Sequence, residues 1–492
     1  MPNTSSRTMR RQAASTDWLP YVGLYVPALV AWMLVPAPVV SYGVAWAGSG
    51  WILWLSMTGR VRPLPGDRTW DEQLFRPLFL TQGMFAAYLC LSSVFYVWDV
   101  VALGGGELVG AGAATDIEYL AAAQRYSVLG HAALVHGILA TMDYRRSGEW
   151  TITLDLPRPR LFLAAGVGAV VAGFVVGQLP GLGQFVGKLR ALAAVAGILG
   201  FAYALREGDF LMMVLGVGLY GWILVESLLS GWKEAPIVAV GLLLIALYPT
   251  YKRATVVAGV GAVVVLVSLL PAYNATFRQL NWERGVPAEE AAQEAIERIE
   301  SGQVDPSETA WGFLTGRLTL VNMVAQYVEH TPEQRPYYGL SIVTQGVRAV
   351  IPKALWPDKP ATERIVMERV YENRVVSPAS STSAKPPVIA DGYLSGGALG
   401  VFLVCFVLGC VAGSASRMAE RWFDGYEVGG QIVYVGLFGA ALLTASIEYL
   451  MNTLFWSFVL MALLAGGLWL SGLLHRTNPR TARPSSAPAR AA

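Results

Sequence analysis

Apolar residues run along this chain in long unbroken stretches, not in the alternation of a strand or the one-sided stripe of a surface helix. A helix that crosses a bilayer needs about 20 apolar residues, with about 17 to 25 covering most tilts. On that measure the pattern predicts about twelve spans, at 18–38, 39–58, 77–98, 126–142, 161–179, 189–205, 210–230, 236–250, 255–272, 392–412, 430–447 and 455–473. The expected fold is an all-α polytopic membrane protein, since backbone polar groups inside lipid must be satisfied within each segment. The chain divides into a basic tail (1–17), a bundle of about nine helices (18–272), a large polar segment (273–391), about three more helices (392–473) and a basic disordered tail (474–492). The opening MPNTSSRTMRRQAAST has the basic character of a signal peptide. No small-residue cleavage pattern follows and a second span comes at once, so the first run is expected to be retained.

Within 273–391 the periodicity becomes that of surface helices. PAEEAAQEAIERIESG starts with Pro287 and two glutamates, a good helix start, and predicts an acidic amphipathic helix over 287–300 that serves as a cover or strut. A second helix is expected over 307–330, opened by Ser307. There Arg317 shares an apolar stripe with Leu314, Val321, Val324 and Val328, so it needs an anion, either a carboxylate such as Glu308 or Glu448 or a ligand. A third helix is expected over 339–351, with Ser341, Thr344, Gln345 and Arg348 on one polar face. Pro352 should end it, and Lys353, Trp356, Lys359 and Arg364 follow in AVIPKALWPDKPATERI.

Composition sharpens the membrane reading. The 492 residues are 54% hydrophobic and only 14% charged, against roughly 25% charged in soluble domains. With the N-terminus inside, twenty of the 36 Lys and Arg residues fall on the inner side, from Arg7 and Arg60 to Arg253 and Arg480, and four in the short outer loops. The remaining twelve lie in 273–391, which is thereby placed outside, and both termini inside. The inner loops are too short for a nucleotide-binding domain, and no phosphate-loop motif occurs. Cys90, Cys405 and Cys410 lack disulfide or zinc spacing and read as small core residues.

Ionisable groups at membrane depth are costly and point to function or to pairing. His131, Glu226, Asp391 and Glu448 with Tyr449 are all expected near the outer ends of spans. His131 and His136 stand about 140° apart on a helix and read as packing residues. Asp116 and Glu118 in TDIEYL are expected on a solvated loop.

The order TGR, then TPEQRPYYG, a short helix carrying Arg348, the box IPKALWPDKP and the glycine-rich VIADGYLSGGALGVF, over about 311–410, resembles oligosaccharide repeat-unit polymerases of the Wzy type, the O-antigen polymerase group. Lys353 stands where that box is expected to carry arginine, and Asp391 where a glutamate is expected. The resemblance implies a fold like the glycosyltransferase C class in a bacterial inner (cytoplasmic) membrane. It implies transfer of a glycan from undecaprenyl pyrophosphate to the non-reducing end of another lipid-linked unit on the outer face. Arg317, Arg348, Lys353, Lys359 and Arg364 would then include the groups that neutralise the pyrophosphate, with Gln345 on the same polar face and Trp356 as an anchor or sugar platform. Asp391 is the first candidate for general base, followed by Glu448 and His330. The expected partners are the lipid-linked oligosaccharide, the bilayer, a flippase and a chain-length regulator, with no nucleic acid, cofactor or metal. A ligase moving finished polymer from the same lipid shares this architecture, but the loop holds only His330. A transporter would favour internal repeats and midplane charges.

Overall fold

The computed structural model describes residues 18–66, 68–102, 116–144, 147–153, 156–232, 234–315, 319–379, 384–425, 430, 433–434 and 446–477. About three quarters of the protein is helical. Leu19–Met33 (α1) and Pro38–Met57 (α2) form a hairpin, α2 starting on a proline whose fixed φ suits a first turn. Leu80–Phe85 (α3), a π-helical turn and Ser93–Ala102 (α4) make one further rod. Asp116 does not sit on a free loop: its carboxylate accepts the Glu118 N–H at 3.1 Å and caps Ile117–Thr141 (α5). This helix therefore begins well before residue 126. A short strand Trp150–Ile152 (β1) precedes Arg158–Gly177 (α6), Gly183–Glu207 (α7), Phe210–Leu229 (α8), Glu234–Leu247 (α9), Lys252–Ser268 (α10) and Leu270–Arg278 (α11).

Beyond α11, the described residues of the polar segment include five short helices: Ala288–Glu300 (α12), Pro306–Phe313 (α13), Val321–His330 (α14), Ser341–Val350 (α15) and Thr362–Glu372 (α16). The first and the fourth agree with the sequence pattern. The single helix expected over 307–330 is instead two, and its cap is Asp305, which accepts both the N–H and the hydroxyl of Ser307. Two long helices follow, Val388–Phe423 (α17) and Ile447–Leu470 (α18), and Leu474–Arg476 (β2) pairs antiparallel with β1. Because α18 starts at Ile447, Glu448 lies in its first turn, not at the end of an eleventh span. The expected span 430–447 falls mostly outside the described residues.

Among the described residues, seven helices are long and apolar enough to cross a membrane: Leu80–Asp99, Arg158–Gly177, Phe185–Glu207, Phe210–Leu229, Lys252–Glu283, Val388–Phe423 and Ile447–Leu470. Leu19–Met33 and Ala235–Leu247 are apolar but shorter. The centre is the crossing of α5 and α17, where backbones touch through small residues. A Cβ added at Gly137 would run into the Phe406 carbonyl, and one at Gly409 into that of Leu134.

Segments that the alternation of spans assigns to one side lie together. Arg68 and Arg76 both reach Glu420, Lys252 meets Asp71 at 2.6 Å, Arg421 meets Glu149 at 2.7 Å, and β1 pairs with β2. At the other pole α13 is tied to α4 by Trp311 Nε1 donating to Asp99 at 3.0 Å, α14 lies on α5 and α17, and α15 lies on α18. His131 is fully buried in mid-helix, 3.3 Å from Gln82, so it sits deeper than its expected place near an outer end. Glu226 does lie at a helix end, paired with Arg190 at 3.0 Å.

Candidate functional site

The glycine run VIADGYLSGGALG breaks α17 one turn after Asp391. Gly396 and Gly397 leave helical geometry, and Gly397 has φ +61°, a conformation that L side chains rarely adopt. The break frees the Leu394 carbonyl from the helical ladder, and the Tyr338 N–H takes it at 2.8 Å. The first turn of α17 can thus tilt toward the start of α18. There Asp391 Oδ2 accepts the Ile447 N–H at 2.7 Å, placing a carboxylate at a helix N-terminus, where the backbone dipole favours it.

Glu448, one residue further, is also fully buried, and the group that joins the two carboxylates is Arg369 of α16. Arg369 Nη1 and Nη2 donate to the two oxygens of Glu448 at 2.7 and 3.0 Å, a bidentate fork. Nη2 also stands 3.0 Å from Asp391 Oδ1, at an angle that makes an ion pair without a hydrogen bond. Nη1 donates to Gln345 Oε1 at 3.2 Å, which brings in α15. Burial opposes the charge on Arg369, but the two carboxylates outweigh it and hold the guanidinium above its usual value. Tyr327 is buried beside them, and burial followed by the charge of Asp391 pushes its hydroxyl well above the ordinary range. Asn373 closes the wall, donating to the Arg369 carbonyl at 2.8 Å and accepting from Thr331 at 2.9 Å.

Of the residues singled out in the sequence, the structure gathers Asp391, Glu448 and Gln345 around this one arginine. The sequence pattern does not single out Arg369, which stands between Val366 and Val370 on the buried stripe of α16. Arg317 lies outside the described residues. Glu448, one of its proposed partners, is engaged by Arg369.

The polar face expected on α15 splits in two. Ser341 and Thr344 return their hydroxyls to the carbonyls of Tyr338 and Leu340, and Gln345 turns inward. Arg348 is exposed, and so is Lys353 just past the helix; neither has an ion-pair or hydrogen-bonding side-chain partner among the described residues. Beside them the apolar Leu340 and Leu355 are each 79% exposed, with Val347 and Ile351. Lys359 does not join this ledge: its ammonium is buried and donates to the carbonyls of Ala349 and Ile351, both at 2.7 Å, capping α15. Burial, then the charge of Lys353, holds its pKa below the ordinary value. Asn452 and Trp456 of α18 hold the Ala349 and Val350 carbonyls. Trp356 is half-buried, and Arg364 is exposed, 3.9 Å from Glu368.

His330, half-buried at the end of α14, has Nδ1 2.9 Å from the Gln326 carbonyl. A carbonyl only accepts, so the neutral ring carries its proton on Nδ1 and leaves Nε2 as an acceptor. Asp391, by contrast, is fully buried with both oxygens engaged. Among the described residues no three His, Cys, Asp or Glu side chains are grouped to hold a metal ion.

Residues 26–476 match the model of a family described as a domain of unknown function, DUF8712. The chain belongs to that family. Comparison with curated proteins and with solved structures gives no match.

Proposed function

We propose that the chain is a membrane glycosyltransferase that polymerises lipid-linked oligosaccharide repeat units, working at the pole that carries α12–α16. The observation that carries this reading is the ledge on α15: Arg348 and Lys353, exposed and without counter-charge among the described residues, flanked by exposed Leu340, Val347, Ile351 and Leu355. Cations next to a large exposed apolar patch suit a phosphate carried on a lipid chain better than a soluble anion. The Arg369 clamp beneath fixes the helix that presents them. Twelve spans fit this reading. They would comprise the seven apolar ones with α1, α2, α5 and α9, and the span expected over 430–447, which falls mostly outside the described residues.

In the proposed reaction the acceptor hydroxyl attacks the anomeric carbon of the donor as the bond from that carbon to the pyrophosphate oxygen breaks. The leaving pyrophosphate gains negative charge, which Arg348 and Lys353 stabilise by charge-assisted hydrogen bonds that strengthen in the transition state. The hydroxyl proton passes to His330 Nε2, preferred over Asp391 because its lone pair is open and its tautomer is set. The test is purified protein supplied with undecaprenyl-pyrophosphate-linked repeat units and no nucleotide. Ladders of longer glycans with matching release of undecaprenyl pyrophosphate are expected. Release of the carrier with hydrolysis alone, or no release with any acceptor, would remove the polymerase reading.

A further inference from the structure

A laterally open groove of about 630 Å³ runs between α1, α5 and α17, lined by Leu29, Trp32, Leu129, Ala398, Leu399 and Phe402. Its walls are apolar because the polar atoms close on one another: the Tyr25 hydroxyl meets His136 Nδ1 at 2.9 Å. Arg125 does not itself line the groove but stands on α5 beyond Leu129, toward the helix start at Ile117. It lies one turn before Leu129 on the same face of α5. Its Nη1 donates to Ser41 Oγ at 2.9 Å, and Ser41 donates to the carbonyl of Ala31, the neighbour of Trp32. Tyr126 beside it meets the Trp32 ring edge-on at 5.8 Å.

Arg125 is only 8% exposed, its Nε has no hydrogen-bond partner, and no carboxylate pairs with it among the described residues. Among the described residues the other two arginines buried to this degree, Arg76 and Arg369, each hold a carboxylate. A buried guanidinium balanced only by a hydroxyl is costly at membrane depth, and an anion arriving from the lipid would relieve that cost. The groove supplies what the rest of such a ligand needs, a dry channel opening to the hydrocarbon.

We propose that Arg125 and this groove form a second lipid-phosphate site, distinct from the Arg348 ledge. Arg125 neutralises the phosphate of a polyprenyl lipid, and the chain lies along α1, α5 and α17. The site would seat the second of the two lipid-linked units that the proposed transfer joins, and it rests on that reading for the identity of the lipid alone. Its test is therefore binding, not turnover. Native mass spectrometry of the full chain counts bound undecaprenyl phosphate, with undecaprenol and phosphatidylglycerol as controls. Wild type should retain two undecaprenyl phosphates, Arg125→Gln one, Arg348→Ala one and the double variant none, with Arg125→Lys recovering part of the loss. Ala398→Trp, which fills the groove and leaves the arginine in place, should also reduce the count to one, which keeps the proposal testable if Arg125→Gln does not fold. An unchanged count in a folded Arg125→Gln or Ala398→Trp protein would overturn the site, as would equal retention of undecaprenol or phosphatidylglycerol. Failure of the transfer assay with these counts intact would sink the enzyme reading and leave the site standing.

Discussion

Arg369 holds together two buried carboxylates that would otherwise repel each other, so its removal should cost more than that of any exposed arginine here. Breaking a buried ion pair from one side costs about 3–5 kcal/mol. Arg369→Ala should lower the unfolding midpoint in detergent by that order, and the loss should shrink when Asp391→Asn and Glu448→Gln are added; an unchanged midpoint would contradict the clamp. Lys359→Met keeps the aliphatic stem and removes two hydrogen bonds to the end of α15. It should cost about 1.5–3 kcal/mol of stability while leaving lipid-phosphate binding at the ledge in place. Loss of that binding with normal stability would return Lys359 to the phosphate-ligand role that its position in IPKALWPDKP suggests. The sequence made Asp391 and Glu448 conspicuous because a carboxylate in an apolar run has few explanations. Arg369 is hidden in the sequence by its charged neighbours Glu363, Arg364, Glu368 and Glu372. Arg364 and Arg369 look alike in the sequence, and only contact with α17 and α18 sends one inward.

At the scale of elements, the apolar runs located the seven described helices long and apolar enough to cross a membrane, since length and hydropathy suffice for that. Their ends were less legible. Gln124, Arg125 and Glu118 make the first turns of α5 look like a loop, yet Asp116 caps them; Gln124 and Arg125 are buried against neighbouring helices, and Glu118 stays exposed. The polar segment gave α12 and α15 through clear start and stop residues, while the gap between α13 and α14 had no proline or glycine pair to announce it. The glycines of α5 and α17 carry a firm prediction. Gly409→Leu places side-chain atoms against the Leu134 backbone, and it should abolish the folded monodisperse protein, whereas Gly168→Leu, where a side chain meets open space, should be tolerated. Equal tolerance of both would mean that α5 and α17 do not approach this closely.

The whole molecule has two poles, and the proposed chemistry belongs to the one that carries α12–α16. Lys353→Cys and Arg253→Cys, each in a background without Cys90, Cys405 and Cys410, should label with membrane-impermeant maleimide from opposite sides of sealed vesicles; labelling from one side would break the topology. The claim that this pole neutralises a departing pyrophosphate is tested most directly at Arg348, which is exposed and can be changed without disturbing the core. Loss of one charge-assisted hydrogen bond to a developing phosphate charge is worth roughly 1.5–3 kcal/mol, about 10- to 150-fold in rate. The decisive measurement is the rate of undecaprenyl pyrophosphate release by purified Arg348→Ala and Arg348→Lys beside wild type. The account predicts a loss in that range for alanine, a smaller loss for lysine, and an unchanged unfolding midpoint for both. Release by Arg348→Ala at the wild-type rate would contradict it.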